Sequence, residues 1–208
     1  MVELSSWDRD QVARERLEDK IINNTYLCRP LIEMDTPVLG GVSIGAKQRE
    51  AIVVDTKYGE LNKLYDIAKK KATVGNNLWK QLILDSVYET VKEAMPEQCD
   101  EPLEGLLKKH GINKDVKITL DEFIKRKTGN CIHDALACAA LLEMFKEEGL
   151  IRGKISVDKN TINHLGEHAW CRYTNLGNEV YILDVRREYT GPLKGSTKWP
   201  YERPGESR

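Results

Sequence analysis

The run Ala135-Leu-Ala-Cys-Ala-Ala-Leu-Leu142 holds no polar side chain. At helical spacing it is apolar on every face, and such a helix persists in water only where other elements cover it all round. The pattern predicts a helix over about 131–148, stopped by Gly149, with the rest of the chain wrapped around it. Its start is as restrictive as its middle. In Thr128-Gly-Asn-Cys131, Gly129-Asn130 breaks the chain and leaves Cys131 in the first helical turn.

Elsewhere the periodicity is ordinary. Apolar residues at helical spacing predict helices over 60–72, over 77–95 (ended by Pro96) and, more weakly, over 8–24. A short helix is expected over 102–110, closed by Gly111. Thr119-Leu-Asp-Glu122 has the form of a capping box and opens another short helix to about Arg126. Residues 28–58 read as irregular with one short strand at Ala51-Ile-Val-Val54. Strands are expected at 152–157, 167–173 and 178–185. A three-residue loop Asn175-Leu176-Gly177, with Gly177 left-handed, would join the last two as a hairpin. In that register His168 stands opposite Asp184, their Cβ atoms about 5 Å apart. The tail, 190–208, is rich in Gly and Pro and reads as irregular chain draped over the surface.

A thiol at a helix N-terminus, an imidazole and a carboxylate on neighbouring strands make one chemistry available. Cysteine attacks a carbonyl as thiolate, and both helix dipole and imidazolium favour that form. His168 would act as base and then acid, and Asp184 would fix its tautomer. The Cys131 N–H could donate to a developing oxyanion.

The flanking residues add to this. Gly129-Asn130-Cys131 leading into an Ala/Leu-rich helix resembles the cysteine motif of the transglutaminase-like superfamily. Glu167-His168-Ala169-Trp170 resembles its His-Ala-Trp strand, and Tyr181-Ile182-Leu183-Asp184 its Asp-bearing strand. The resemblance covers about residues 119–187. It implies a papain-like α+β fold, in which a central buried helix carrying the cysteine packs on an antiparallel sheet carrying the histidine and aspartate. It implies Cys131, His168 and Asp184 as catalytic residues, a covalent thioester intermediate, and no metal or organic cofactor. It also implies an upstream oxyanion donor, for which Asn76, Asn77, Trp79 and Gln81 are candidates. Asn130 and Trp170, beside the cysteine and histidine, complete the candidate substrate-contacting set.

On this reading 119–190 is the catalytic core. Residues 1–118 are a mostly helical N-terminal part of the same domain, serving as specificity element, inhibitory flap or scaffold, and 191–208 is an irregular tail. The expected function is cleavage or exchange of an amide, a glutamine side chain or a peptide bond, in a protein or peptide substrate. Protease, deamidase and transglutaminase share all but the last step. A non-catalytic binding module on the same fold and an acyltransferase with a similar triad are the alternatives.

Other signals are weaker. His133 points away from Cys131 on a helix and reads as a local polar contact, and Asp134 suits the helix dipole. Glu167 and His164 lie near the base, at a rim or in a loop. Zinc at Cys131, Cys138, His168 and Cys171 is disfavoured, because His168 and Cys171 face opposite ways on a strand and no Cys-x-x-Cys is present. Gly40-Gly-Val-Ser-Ile-Gly45-Ala-Lys47 lacks the ending of a phosphate-binding loop. A net charge of −1 gives no attraction to nucleic acid or an anionic membrane. No signal peptide or bilayer-length apolar run is seen. Five irregularly spaced cysteines fit a reducing compartment, the cytoplasm, although export without a signal peptide would leave the same pattern.

Overall fold

The structure, a computed structural model, describes residues 21–26, 28–44, 51–74, 77–78, 82–96, 105, 117–162, 166–194 and 201–204. It is a mixed α+β arrangement organised around helix α4, Cys131–Glu147. From His133 to Glu143 every α4 side chain is buried, as the all-apolar run requires. Gly149, at φ 74°, takes the left-handed turn that ends it.

Three helices precede α4: α1 (Glu60–Lys71), α2 (Ile83–Ala94) and α3 (Leu120–Lys125). Leu61, Leu64 and Tyr65 of α1, Val87 and Val91 of α2 and Phe123 of α3 share one core with Leu136, Leu142 and Phe145 of α4. Helix α2 begins six residues later than the periodicity predicts. Asn77–Leu78 forms a short strand (β7) paired with Thr73–Val74 (β6) instead. The capping box expected at Thr119 is not made, since Thr119 provides no side-chain cap. Glu122 turns away to ion-pair with Arg126 at 2.5 Å. Asp121 caps a different helix. Its carboxylate accepts from the Glu60 and Leu61 N–H groups (2.9 and 3.3 Å), where Gly59 leaves α1 without a capping side chain.

The described residues before α3 also form short strands. They hold three short strands at Ile21–Ile22, Thr25–Tyr26 and Arg29–Pro30 (β1–β3), of which the first falls where the end of the 8–24 helix is expected from sequence. They also hold Val42–Ile44 (β4) and Ala51–Val53 (β5). Strand β5 pairs antiparallel with β4 and parallel with Lys117–Thr119 (β8). Residues 8–20, and all of 102–110 but Gly105, lie outside the described residues. The part before α3 is fastened to α4 by the buried Glu143, whose carboxylate accepts from the Val38 and Leu39 N–H groups at 2.8 Å.

After α4 comes an antiparallel sheet in the order β12-β11-β10-β9. Its strands are Gly153–Ile162 (β9), Gly166–Asn175 (β10), Val180–Asp184 (β11) and Tyr189–Pro192 (β12). Strand β9 continues to Ile162, five residues past the end of the strand expected at 152–157. The β10–β11 register also differs from expectation. Cys171 faces Leu183 and Thr174 faces Val180, a slip of two residues. The cause is Asn175, whose Oδ1 accepts from the Gly177 and Glu179 N–H groups (2.8 and 3.0 Å). That Asx turn makes Asn175 the last strand residue and Leu176-Gly177-Asn178 the loop, with Asn178 rather than Gly177 left-handed at φ 61°.

One sheet face packs on α4 through Ile155, Val157, Ala169, Cys171 and Leu183. On the other face Trp170 and Ile182 pack with Tyr201 of the tail.

Candidate active site

Cys131 is the first residue of α4 and is half-buried. Asn130 sets that position. It is extended (φ −133°, ψ −171°) and its Oδ1 accepts from the Ile132 N–H at 3.3 Å. Its own N–H donates to Nδ1 of His133 at 3.1 Å, closing a capping box with histidine at the third position. A β-carbon on Gly129 would come within 3.0 Å of the His133 Cβ, so the glycine lets the turn close over that ring. The Cys131 N–H, first in the helix, has no intrahelical acceptor and points out of the N-terminus.

His168 and Asp184 share the sheet face that is turned away from α4. The two-residue slip preserves their parity, because alternation has a period of two. His168 therefore stands diagonal to Asp184, while Trp170, one step beyond the Cys171–Leu183 pair, stands opposite it. The diagonal is still within reach, and His168 Nε2 lies 2.7 Å from Asp184 Oδ2. The Cys131 side chain hydrogen-bonds the same imidazole. With Nε2 on the carboxylate, Nδ1 is the nitrogen left for the sulfur. Burial pushes the imidazolium down, but the Asp184 and Cys131 hydrogen bonds and charges outweigh it and hold His168 up at about 9. At neutral pH the ring is thus protonated between a carboxylate and a sulfur.

Three further side chains surround this group, and sequence reasoning missed all of them. Arg186, just past β11, lies with Nε 2.5 Å from Asp134 Oδ2 as a charge contact and donates from Nη2 to the Gly129 carbonyl at 3.0 Å. It ties the end of the Asp184 strand to the start of the Cys131 helix. Burial pushes the Asp134 carboxyl up against the opposing pull of Arg186. Lys159, opposite Ala169, is exposed, and its charge acts on Cys131. Desolvation pulls its amine down, and the charges of Cys131 and Glu167 pull it back up. The third is Tyr201, whose hydroxyl donates to Asp184 Oδ2 at 2.8 Å. No local pattern announces these residues, because each reaches the site through tertiary folding.

The remaining candidates fall into three groups. Asn76, Trp79 and Gln81 lie outside the described residues, as does His164, and for Asn77 only the backbone is described. Asn130 is committed to the helix cap, and Trp170 is fully buried with its ring 5.5 Å from that of Tyr201. His133 is buried against Phe123 at 4.0 Å between ring centres. Burial, with the nearby Arg186 charge, lowers it to about 3, so it is a neutral structural ring. Cys138 and Cys171 are fully buried, which drives their thiols well up and away from reactivity. Among the described residues no three His, Cys, Asp or Glu side chains are gathered to hold a metal ion, and no helix is long and apolar enough to cross a membrane.

No protein-family model, curated protein or solved structure matches this chain.

Proposed function

We propose that the chain is a transglutaminase-like cysteine enzyme with a papain-like core, acting on a glutamine side chain or a peptide bond in a protein or peptide. The observation that carries this reading is the continuous contact from the Cys131 sulfur through His168 to Asp184, at the end of a helix whose first N–H is free to point at a substrate oxygen.

Each residue has a task. The Cys131 sulfur attacks the amide carbonyl, and the negative charge passing to oxygen meets the Cys131 N–H and the positive end of α4. The C–N bond breaks as His168 gives its proton to the leaving nitrogen, so ammonia or an amine departs and a thioester remains. Water or a second amine then gives a proton to His168 and attacks the thioester, releasing acid or new amide and restoring the sulfur. Asp184 holds the ring in one orientation and balances its charge throughout. The partial exposure of Cys131 gives the substrate its approach.

The test is to trap the intermediate. Wild-type protein incubated with glutamine-containing peptides and quenched in acid should carry a hydroxylamine-sensitive adduct on Cys131, read by peptide mass spectrometry. Cys131→Ala and His168→Ala should carry none while keeping native circular dichroism. Product formation by Cys131→Ala would refute the assignment.

A further inference from the structure

The face of the sheet that carries His168 and Asp184 is closed by the tail, and the closure is built from specific bonds. Along β9 the residues facing this side are Ser156, Asp158 and Asn160, and each one holds the tail. Arg203 grips Asp158 through Nε (2.6 Å) and Nη2 (2.8 Å), and Nη2 also reaches Ser156 Oγ at 2.8 Å. Asn160 Nδ2 donates to the Glu202 carbonyl at 2.9 Å. Arg203 extends to Asp35 as well, with Nη1 at 3.1 Å and Nη2 at 2.8 Å. Asp158 is fully buried, so this bidentate pair has little competition from water. Two residues before Arg203, Tyr201 is driven into the sheet face, also fully buried, between the rings of Trp170 (5.5 Å) and Tyr189 (5.4 Å). Its hydroxyl meets the oxygen of Asp184 that already accepts from His168.

We propose that Tyr201 is a positioning residue for the cysteine chemistry, acting through Asp184, and that the Arg203 clasp exists to press it there. The proposal rests on the catalytic reading of Cys131, His168 and Asp184. Asp184 then has three donors: Arg187 N–H on Oδ1 at 3.1 Å, and His168 and Tyr201 on Oδ2. They leave the carboxylate one orientation. Tyr201 takes part of the negative charge that would otherwise bear on the imidazolium alone, and its ring keeps bulk water off the His168–Asp184 bond. The hydroxyl stays protonated, because burial and the adjacent Asp184 charge both push its ionisation up.

The test is Tyr201→Phe, which keeps the ring and removes only the hydroxyl, read by NMR titration of the His168 ring. The ionisable groups facing that ring are Cys131 and Asp134 on α4, Asp184 on β11 and Tyr201, with Lys159 on β9 reaching it through Cys131. Freed of the hydroxyl, Asp184 should hold the imidazolium more strongly, so the titration should move up by about half a unit. Arg203→Gln, altered far from the ring, should shift it the same way, and it keeps the question answerable where Tyr201→Phe folds poorly. A purely structural tyrosine would change the melting temperature and leave the titration alone, and an unmoved titration in both folded variants overturns the proposal. The parent reading fails separately: a wild-type Cys131 that alkylates no faster than exposed Cys28 removes the enzyme and this inference with it. A reactive Cys131 with an unmoved titration removes only the role of Tyr201.

Discussion

His168 and Asp184 meet on a diagonal of the β10–β11 hairpin, one step from direct opposition, with Nε2 2.7 Å from Oδ2. The same imidazole also interacts with the Cys131 side chain at the start of the helix. The carboxylate is the stronger of the two groups that hold the proton on the ring, ahead of Cys131. Asp184→Asn, which keeps shape and removes charge, should bring the His168 titration down from about 9. NMR of the ring carbons checks this, and a titration still near 9 would mean that another group holds the proton.

The same balance sets a pH dependence of stability. A histidine raised in the folded state contributes stability that is fully present below its unfolded value, about 6.5, and lost as pH rises through its folded value. For His168 the window therefore runs from about 6.5 to about 9. Urea unfolding should show the protein losing up to about 3 kcal/mol across it relative to His168→Gln. Parallel profiles for the two proteins would contradict the assigned protonation.

Arg186 and Asp134 fix the distance between helix and strand. Their side chains are 16 % and 2 % exposed, so removing Arg186 leaves Asp134 a buried carboxyl with no cation beside it. Arg186→Met should cost about 3–5 kcal/mol in chemical denaturation, and Arg186→Met with Asp134→Leu should recover most of it. Because the pair ties the Cys131 turn to the Asp184 strand, the single variant should also slow Cys131 alkylation. Equal stability of Arg186→Met and wild type would show that the pair holds nothing.

What the sequence disclosed and what it withheld divide along one line. The central helix, its stop at Gly149 and the cysteine at its start follow from contiguous residues, and all three are found. The strands bearing His168 and Asp184 were legible by alternation, and alternation also preserved their shared face. The register was misread because the Asx turn at Asn175 competes with a glycine-centred loop, and composition alone does not rank the two. The capping box at Thr119 was a correct pattern in the wrong place, as the box forms at Asn130 with His133, a residue type outside the usual pattern. Tyr201 and Arg186 could not be read at all. Tyr201 sits in a segment with the composition of a loose tail, and nothing in the residues around Arg186 sets it apart from the chain's surface arginines. Only the folded chain brings them to Asp184 and Asp134.

The most direct test of the account is the pH profile of iodoacetamide labelling at each of the five cysteines, read by peptide mass spectrometry. Cys131 paired with His168 should label at about pH 6 at least about tenfold faster than exposed Cys28, and His168→Ala should abolish that advantage. Labelling of Cys131 that tracks Cys28 at every pH, or that His168→Ala leaves untouched, would contradict it.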